Sequence, residues 1–124
     1  MQAPSAITLR RKSNLLELKF GEEVLQLPAE LLRVHSPSAE VRGHGPGQAQ
    51  LPSGKIQVAL TGVEAQGNYG LRLIFDDGHD SGIYTWDYLY DLGRNRESYW
   101  QAYLEALAAA GKTRDPDVSV VRIV

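Results

Sequence analysis

Two separated blocks of period-2 alternation set the limits on what this chain can become. In residues 5–27, Ile7 and Leu9, then Leu16, Leu18 and Phe20, then Val24, Leu25 and Leu27 supply apolar side chains set among polar ones. Successive side chains of a strand point to opposite faces, so this spacing makes one dry face and one wet face. The breaks at Ser13-Asn14 and Gly21-Glu22 are short enough for hairpins. A second block covers residues 55–64, with Ile56, Val58 and Leu60 on one face. It resumes after Gly67-Asn68 with Tyr69, Leu71, Leu73 and Phe75. Asp77-Gly78 reads as a type I′ hairpin turn, because both residue types tolerate positive φ. Residues 79–84 then read as the returning strand, with His79, Ser81 and Ile83 on one face and Asp80, Gly82 and Tyr84 on the other.

The period changes at Thr85. This residue suits the N-cap of a helix from Trp86 to about Leu92, with Asp87 in its first turn and Gly93 as its stop. A second helix runs from about Glu97 to Ala110. Its Trp100, Tyr103, Leu104 and Leu107 share a face at i, i+3, i+4 and i+7, and Gly111 ends it. Residues 28–33 predict a short helix. Pro28 is favourable in a first turn, Glu30 suits the positive end of the helix dipole, and Pro37 limits its length. Residues 36–54 are rich in Ser, Pro, Gly and Gln and predict a long flexible loop. The tail, residues 118–124, has the composition of an added edge strand. Strands, a short helix, more strands and two helices give an α+β class: a small antiparallel sheet covered by C-terminal helices. One domain is expected over residues 1–124, with its core at about 7–110.

Composition excludes several functions. The chain has 124 residues, 43% of them hydrophobic and 23% charged, which is enough to build a core without a metal or disulfide. A net charge of −2 lacks the excess of Lys and Arg that a nucleic-acid surface needs. The absence of cysteine removes disulfides, a thiolate nucleophile, and any zinc or iron–sulfur cluster held by the chain's own thiolates. No apolar run approaches the ~20 residues that span a bilayer. The N-terminal residues also lack the basic-then-apolar order of a signal peptide, so the expected location is cytoplasmic.

Three groups of residues carry candidate chemistry. The first is "IFDDGHDSGIYTW", residues 74–86, where His79 is either a ligand or base at a sheet rim or the flank of a turn capped by Asp76 and Asp77. Ser81 and Trp86 lie in the same run. The second is residues 32–44, with His35, Ser36, Ser38, Glu40 and His44. Two histidines and a carboxylate are donors for zinc or iron, so His79 with His35 or His44 forms an alternative metal-binding reading, although no HExxH or H-x-D spacing occurs. No G-x-S-x-G elbow supports a serine hydrolase. The third is aromatic: Tyr84, Trp86, Tyr88, Tyr90, Tyr99, Trp100 and Tyr103. Some must serve the core. The surplus points to self-association or a protein partner through the aromatic-rich helices.

The runs "LLRVHSPSAEVRGH" and "YGLRLIFDDGHDSGIYTWDYLYDL" resemble the small N-terminal domain of the gamma-butyrobetaine hydroxylase family, over roughly residues 7–110. Similar domains occur alone in bacteria and fused to Mrp-type ATPases that carry iron–sulfur clusters. The resemblance implies a zinc site made of a Cys-x-Cys-x-x-Cys loop and a histidine after the hairpin glycine. Those positions fall here on Ser36, Ser38, Val41 and His79, so the histidine is kept and all three thiolates are missing. A serine hydroxyl stays protonated at neutral pH and valine has no donor, so no metal or other cofactor is expected. His79 is expected instead to hold the Ser36–Ser38 loop by hydrogen bonds. The iron-binding catalytic domain of the hydroxylases and the ATPase of the fusions do not fit within this chain. The resemblance therefore implies a stand-alone accessory or protein-interaction domain linked to iron–sulfur or iron-enzyme biology, and no enzyme activity.

Overall fold

The computed structural model describes residues 1–38 and 51–116. Its first layer is a meander of β1 (Ala6–Arg10), β2 (Leu15–Phe20) and β3 (Glu23–Pro28), paired antiparallel in that order. Leu16 lies opposite Leu27, and Leu18 opposite Leu25. These four share a face and all are buried. Helix α1 (Ala29–Val34) follows β3 directly, and its Leu31 and Leu32 turn into the same core.

A second antiparallel sheet holds β4 (Leu60–Gln66), β5 (Gly70–Phe75) and β6 (Ile83–Thr85). Leu71, Leu73 and Phe75 form its buried face, and Tyr84 of β6 lies opposite Leu71. Helix α2 (Trp86–Arg94) starts from Thr85, whose hydroxyl accepts the Tyr88 N–H as an N-cap. It packs on β3 through Leu89 and Leu92. Helix α3 (Arg96–Ala110) ends at Gly111, which takes the left-handed conformation as expected. A smaller cluster of Val34, Tyr103 and Leu107 seats α3 against the end of α1. The α+β class and the C-terminal helices are as the sequence predicts, but the strands divide into two three-stranded sheets. Among the described residues no helix is long and apolar enough to cross a membrane.

Asn14 joins the two sheets. It has φ +54°, which asparagine tolerates better than most residues. Its backbone carbonyl accepts the Ala29 N–H at the start of α1 (2.9 Å). Its side chain donates to the Val58 carbonyl (2.8 Å) and accepts the Leu60 N–H (3.0 Å).

Several boundaries differ from expectation. Residues 55–59 are not strand. The Ile56 N–H donates to the Arg114 carbonyl and the Val58 N–H to that of Lys55, so β4 begins only at Leu60. Ile56 (41% exposed) and Tyr69 (54%) leave the core faces assigned to them. Gly93 does not stop α2. It is buried within the helix, where a Cβ would sit 3.0 Å from Leu25, so the glycine permits close helix–sheet approach. The tail strand and most of the 36–54 loop lie outside the described residues. The described ends of that loop are fixed: Ser36 and Ser38 are buried, and the Pro52 carbonyl accepts the Tyr103 hydroxyl (2.7 Å).

The hairpin turn after β5 is also of another type. Gly78 has φ +89°, but neither Asp76 nor Asp77 has positive φ, as type I′ would require. The Gly78 N–H donates to the Phe75 carbonyl and the Phe75 N–H to that of His79. This is a three-residue loop, a turn closed by one left-handed residue. The chain then leaves the ladder until Ile83, so residues 79–82 are no strand. His79 is buried and Ser81 exposed, and they share no face. A Cβ at Gly78 would meet nothing within 4 Å, so its cost is backbone strain alone. Gly78→Val is expected to destabilise by more than about 1 kcal/mol and Gly78→Asn by less, read from denaturant midpoints. Equal midpoints for the two variants would contradict the left-handed assignment.

Candidate functional site

The three-residue loop turns His79 inward beneath the segment that follows α1. Its Nε2 lies 2.7 Å from Oγ of Ser36 and 3.4 Å from Oγ of Ser38, and the Ser38 N–H donates to Oγ of Ser36 (3.3 Å). The cluster is sealed: Ser36 is 1% exposed, His79 4% and Ser38 7%. Gly82 closes it from the other side, since a Cβ there would stand 2.5 Å from Oγ of Ser36. The hairpin is held in turn by Asp77. Its Oδ1 accepts the His79 N–H (3.1 Å), and its Oδ2 lies 2.8 Å from both Nε of Arg33 and Nζ of Lys55. Burial works to raise this carboxyl. Hydrogen bonds from Lys55, the His79 backbone and Arg33 outweigh it and hold the pKa at about 2. The cluster therefore ties α1, the segment after it, and the β5–β6 hairpin into one unit.

The other sequence-selected residues are placed as follows. His35 is half-buried. Its Nδ1 lies 2.8 Å from the Leu31 carbonyl, and its ring meets Tyr99 and Tyr103 edge-on. Burial lowers its pKa, with the Leu31 carbonyl opposing. Trp86 is buried and donates from Nε1 to the Asn68 carbonyl (2.8 Å), while Ser81 faces solvent. Glu40, Val41 and His44 lie outside the described residues.

The aromatic run is used largely inside the molecule. Tyr84 donates to the Leu32 carbonyl (2.5 Å) and Tyr88 to that of His35. Tyr90 donates to Glu23 (2.7 Å) and Tyr99 to Asp91. The Tyr84, Tyr88 and Tyr90 hydroxyls reach partners more than 50 residues away and that of Tyr99 joins α3 to α2, and all seven rings are buried or half-buried.

Sequence reasoning missed a second polar site. Glu30, read only as a helix-dipole partner, is buried and meets Arg114 in a two-pronged ion pair at 2.7 and 2.8 Å. The Arg114 guanidinium lies over the Trp100 ring, 4.9 Å from its centre. A cleft of about 340 Å³ opens beside them, lined also by Leu31, Arg96 and Glu97. A separation of 84 residues left no local signal for this contact.

The zinc implied by the resemblance does not fit the side chains present. The corresponding positions offer one imidazole, whose Nε2 already shares a hydrogen bond with Ser36, two neutral hydroxyls, and a valine with no donor atom. Among the described residues no three His, Cys, Asp or Glu side chains converge.

Comparison with known proteins gives one family match and three similar solved structures. A family described as "Gamma-butyrobetaine hydroxylase-like, N-terminal" matches residues 7–90. A protein solved by NMR in solution is 56% identical over 100% of this chain and 98% of its own, with a TM-score of 0.85. A second NMR structure is 42% identical over 100% of this chain and 95% of its own, at 0.79. A crystal structure from Acidithiobacillus ferrooxidans, of a protein with unknown function in the DUF971 family, is 33% identical over 73% of this chain and 91% of its own, at 0.61. No curated protein matches.

The geometry generates three expectations. His79→Ala leaves buried Ser36 and Ser38 short of a partner and is expected to cost about 1–3 kcal/mol in chemical denaturation. Gly82→Ala is expected to cost a similar amount by overpacking. The Ser36→Ala/Gly82→Ala pair should then lose less than the sum of the singles, since Ser36→Ala removes the atom that the new methyl meets. Strict additivity would contradict the contact.

The second expectation concerns pH. The folded state resists protonation of His35, whereas the unfolded chain takes the proton near 6.5. This contribution is intact above 6.5 and is lost as pH falls below it. The fall in melting temperature between pH 7.5 and 5.5 should thus be larger for the wild type than for His35→Gln, and equal falls would place the dependence elsewhere. The third concerns metal. EDTA should leave the melting temperature unchanged, and metal analysis of untagged protein should find well under one zinc or iron per chain. One tightly held ion with a chelator-sensitive melt would overturn that.

Proposed function

We propose that the chain, which belongs to the gamma-butyrobetaine hydroxylase-like N-terminal domain family, is a non-catalytic module that docks onto another protein. The observation that carries this reading is the closure of the Ser36–Ser38–His79 cluster. Serine and histidine at 2.7 Å are the components of nucleophilic catalysis, but a nucleophile at 1% exposure under Gly82 has no room for a substrate. Its hydrogen bonds serve to hold a loop. The cleft beside Trp100, by contrast, combines an apolar wall with charged rims, the composition of a protein-binding hollow. Similar domains fused to cluster-carrying ATPases, or placed ahead of an iron-dependent hydroxylase, support a partner from iron–sulfur or iron-enzyme metabolism in the cytoplasm. This last step is by family analogy.

The test is cross-linking of the tagged chain in its native cells, followed by titration of the purified partner. A saturable one-to-one complex, retained by a folded His79→Gln variant, is expected. Turnover of a small substrate by the purified chain, abolished in folded His79→Gln, would replace the module with an enzyme.

A further inference from the structure

The cleft between α1 and α3 already holds an arginine, and it comes from the chain itself. Nε and Nη2 of Arg114 lie 2.8 and 2.7 Å from the two carboxylate oxygens of Glu30. The Glu30 side chain is 9% exposed, and the flat guanidinium stands over Trp100. A buried carboxylate presenting both oxygens, with an indole face beside it, fits the planar donor fork of arginine and fits an ammonium group poorly. Arg114 arrives on a short strap beyond α3. The Gly54 N–H donates to the Thr113 carbonyl (2.9 Å) and the Ile56 N–H to that of Arg114 (3.1 Å). Next to the guanidinium the cleft stays open, floored by Leu31 and edged by Arg96 and Glu97.

We infer that Glu30 and Trp100 form a recognition site for an arginine side chain of a partner protein, which Arg114 fills in cis until it is displaced. The inference rests on the reading of the chain as a docking module and names what it would dock. The open volume receives the residue beside the incoming arginine. Arg96 and Glu97, of opposite charge, set a rim of no net charge that suits an arginine among apolar or mixed neighbours. Because the cis arginine competes at high effective concentration, the wild-type chain binds such a peptide weakly, and removal of Arg114 strengthens binding by the factor that the internal contact withheld.

The test uses the full ¹⁵N-labelled chain titrated with the probe N-acetyl-Ala-Arg-Ala-amide, with citrulline and lysine peptides as controls. Arg114→Gln is expected to bind the arginine probe at least tenfold more tightly than the wild type, with the largest shifts at Trp100 and around Glu30. The combination with Glu30→Gln should lose it, and the citrulline probe should not bind. Should Arg114→Gln fail to fold, the wild-type chain serves instead: excess arginine probe should shift the Arg114 Nε–H resonance, and excess citrulline probe should not. Equal affinity in wild type and Arg114→Gln, equal binding of citrulline, or an unmoved Arg114 resonance in that wild-type titration would overturn the site. A purified partner whose affinity is unchanged by Glu30→Gln would also overturn it, while leaving the module reading intact.

Discussion

Asn14 sits where three segments meet, and its hydrogen bonds fix how the two sheets face each other. Each sheet has three strands and one apolar face that must be covered. They cover these faces by sharing one core, which requires a set angle and register between them. Asn14 supplies this from a single left-handed turn: its carbonyl receives the first N–H of α1, and its amide brackets the entry to β4 at Val58 and Leu60. Both side-chain heteroatoms are used, so replacement by a hydrophobic residue would leave a half-buried carbonyl and N–H to find other partners. The leucines on either side can then interlock without slipping by one residue, a shift that would turn every apolar face outward.

The elements that sequence reasoning located well are those whose signal is local. The first meander follows from alternation and two short breaks, and α2 and α3 follow from Thr85, the 3.6-residue spacing and Gly111. Where the reading failed, a distant partner had overridden the local pattern. Residues 55–59 alternate like a strand, but their backbone groups are taken by Asn14 and Arg114. Gly93 looks like a stop and is a contact surface for Leu25. Asp77-Gly78 looks like a two-residue turn, yet Asp77 is held by Arg33 and Lys55 in a geometry that needs one left-handed residue and not two.

The same division holds for the sites. His79 beside Ser36 and Ser38 was legible because the residues fall at positions that a resemblance aligns, and the structure brings them within hydrogen-bonding distance. A set of thiolates would use that spot to grip an ion. Here neutral hydroxyls and an imidazole exchange hydrogen bonds, which need no charge and leave no ligand to lose. Glu30 and Arg114 were invisible for the opposite reason: a lone acid in a first helical turn and a lone arginine after a last one are ordinary until the fold makes them neighbours.

Their separation along the chain bears on the order in which the molecule is made. The first three strands and α1 lie within the first 34 residues, and their pairings close over a few residues each. They are free to organise while the rest is still being synthesised, because loop closure penalises short loops least. The Glu30–Arg114 contact spans 84 residues and exists only after α3 has emerged and docked. A newly made chain therefore presents a bare, buried-to-be carboxylate until residue 114 has been added. The arginine that covers it follows α3 in the chain, which makes this contact a marker that the helix has docked.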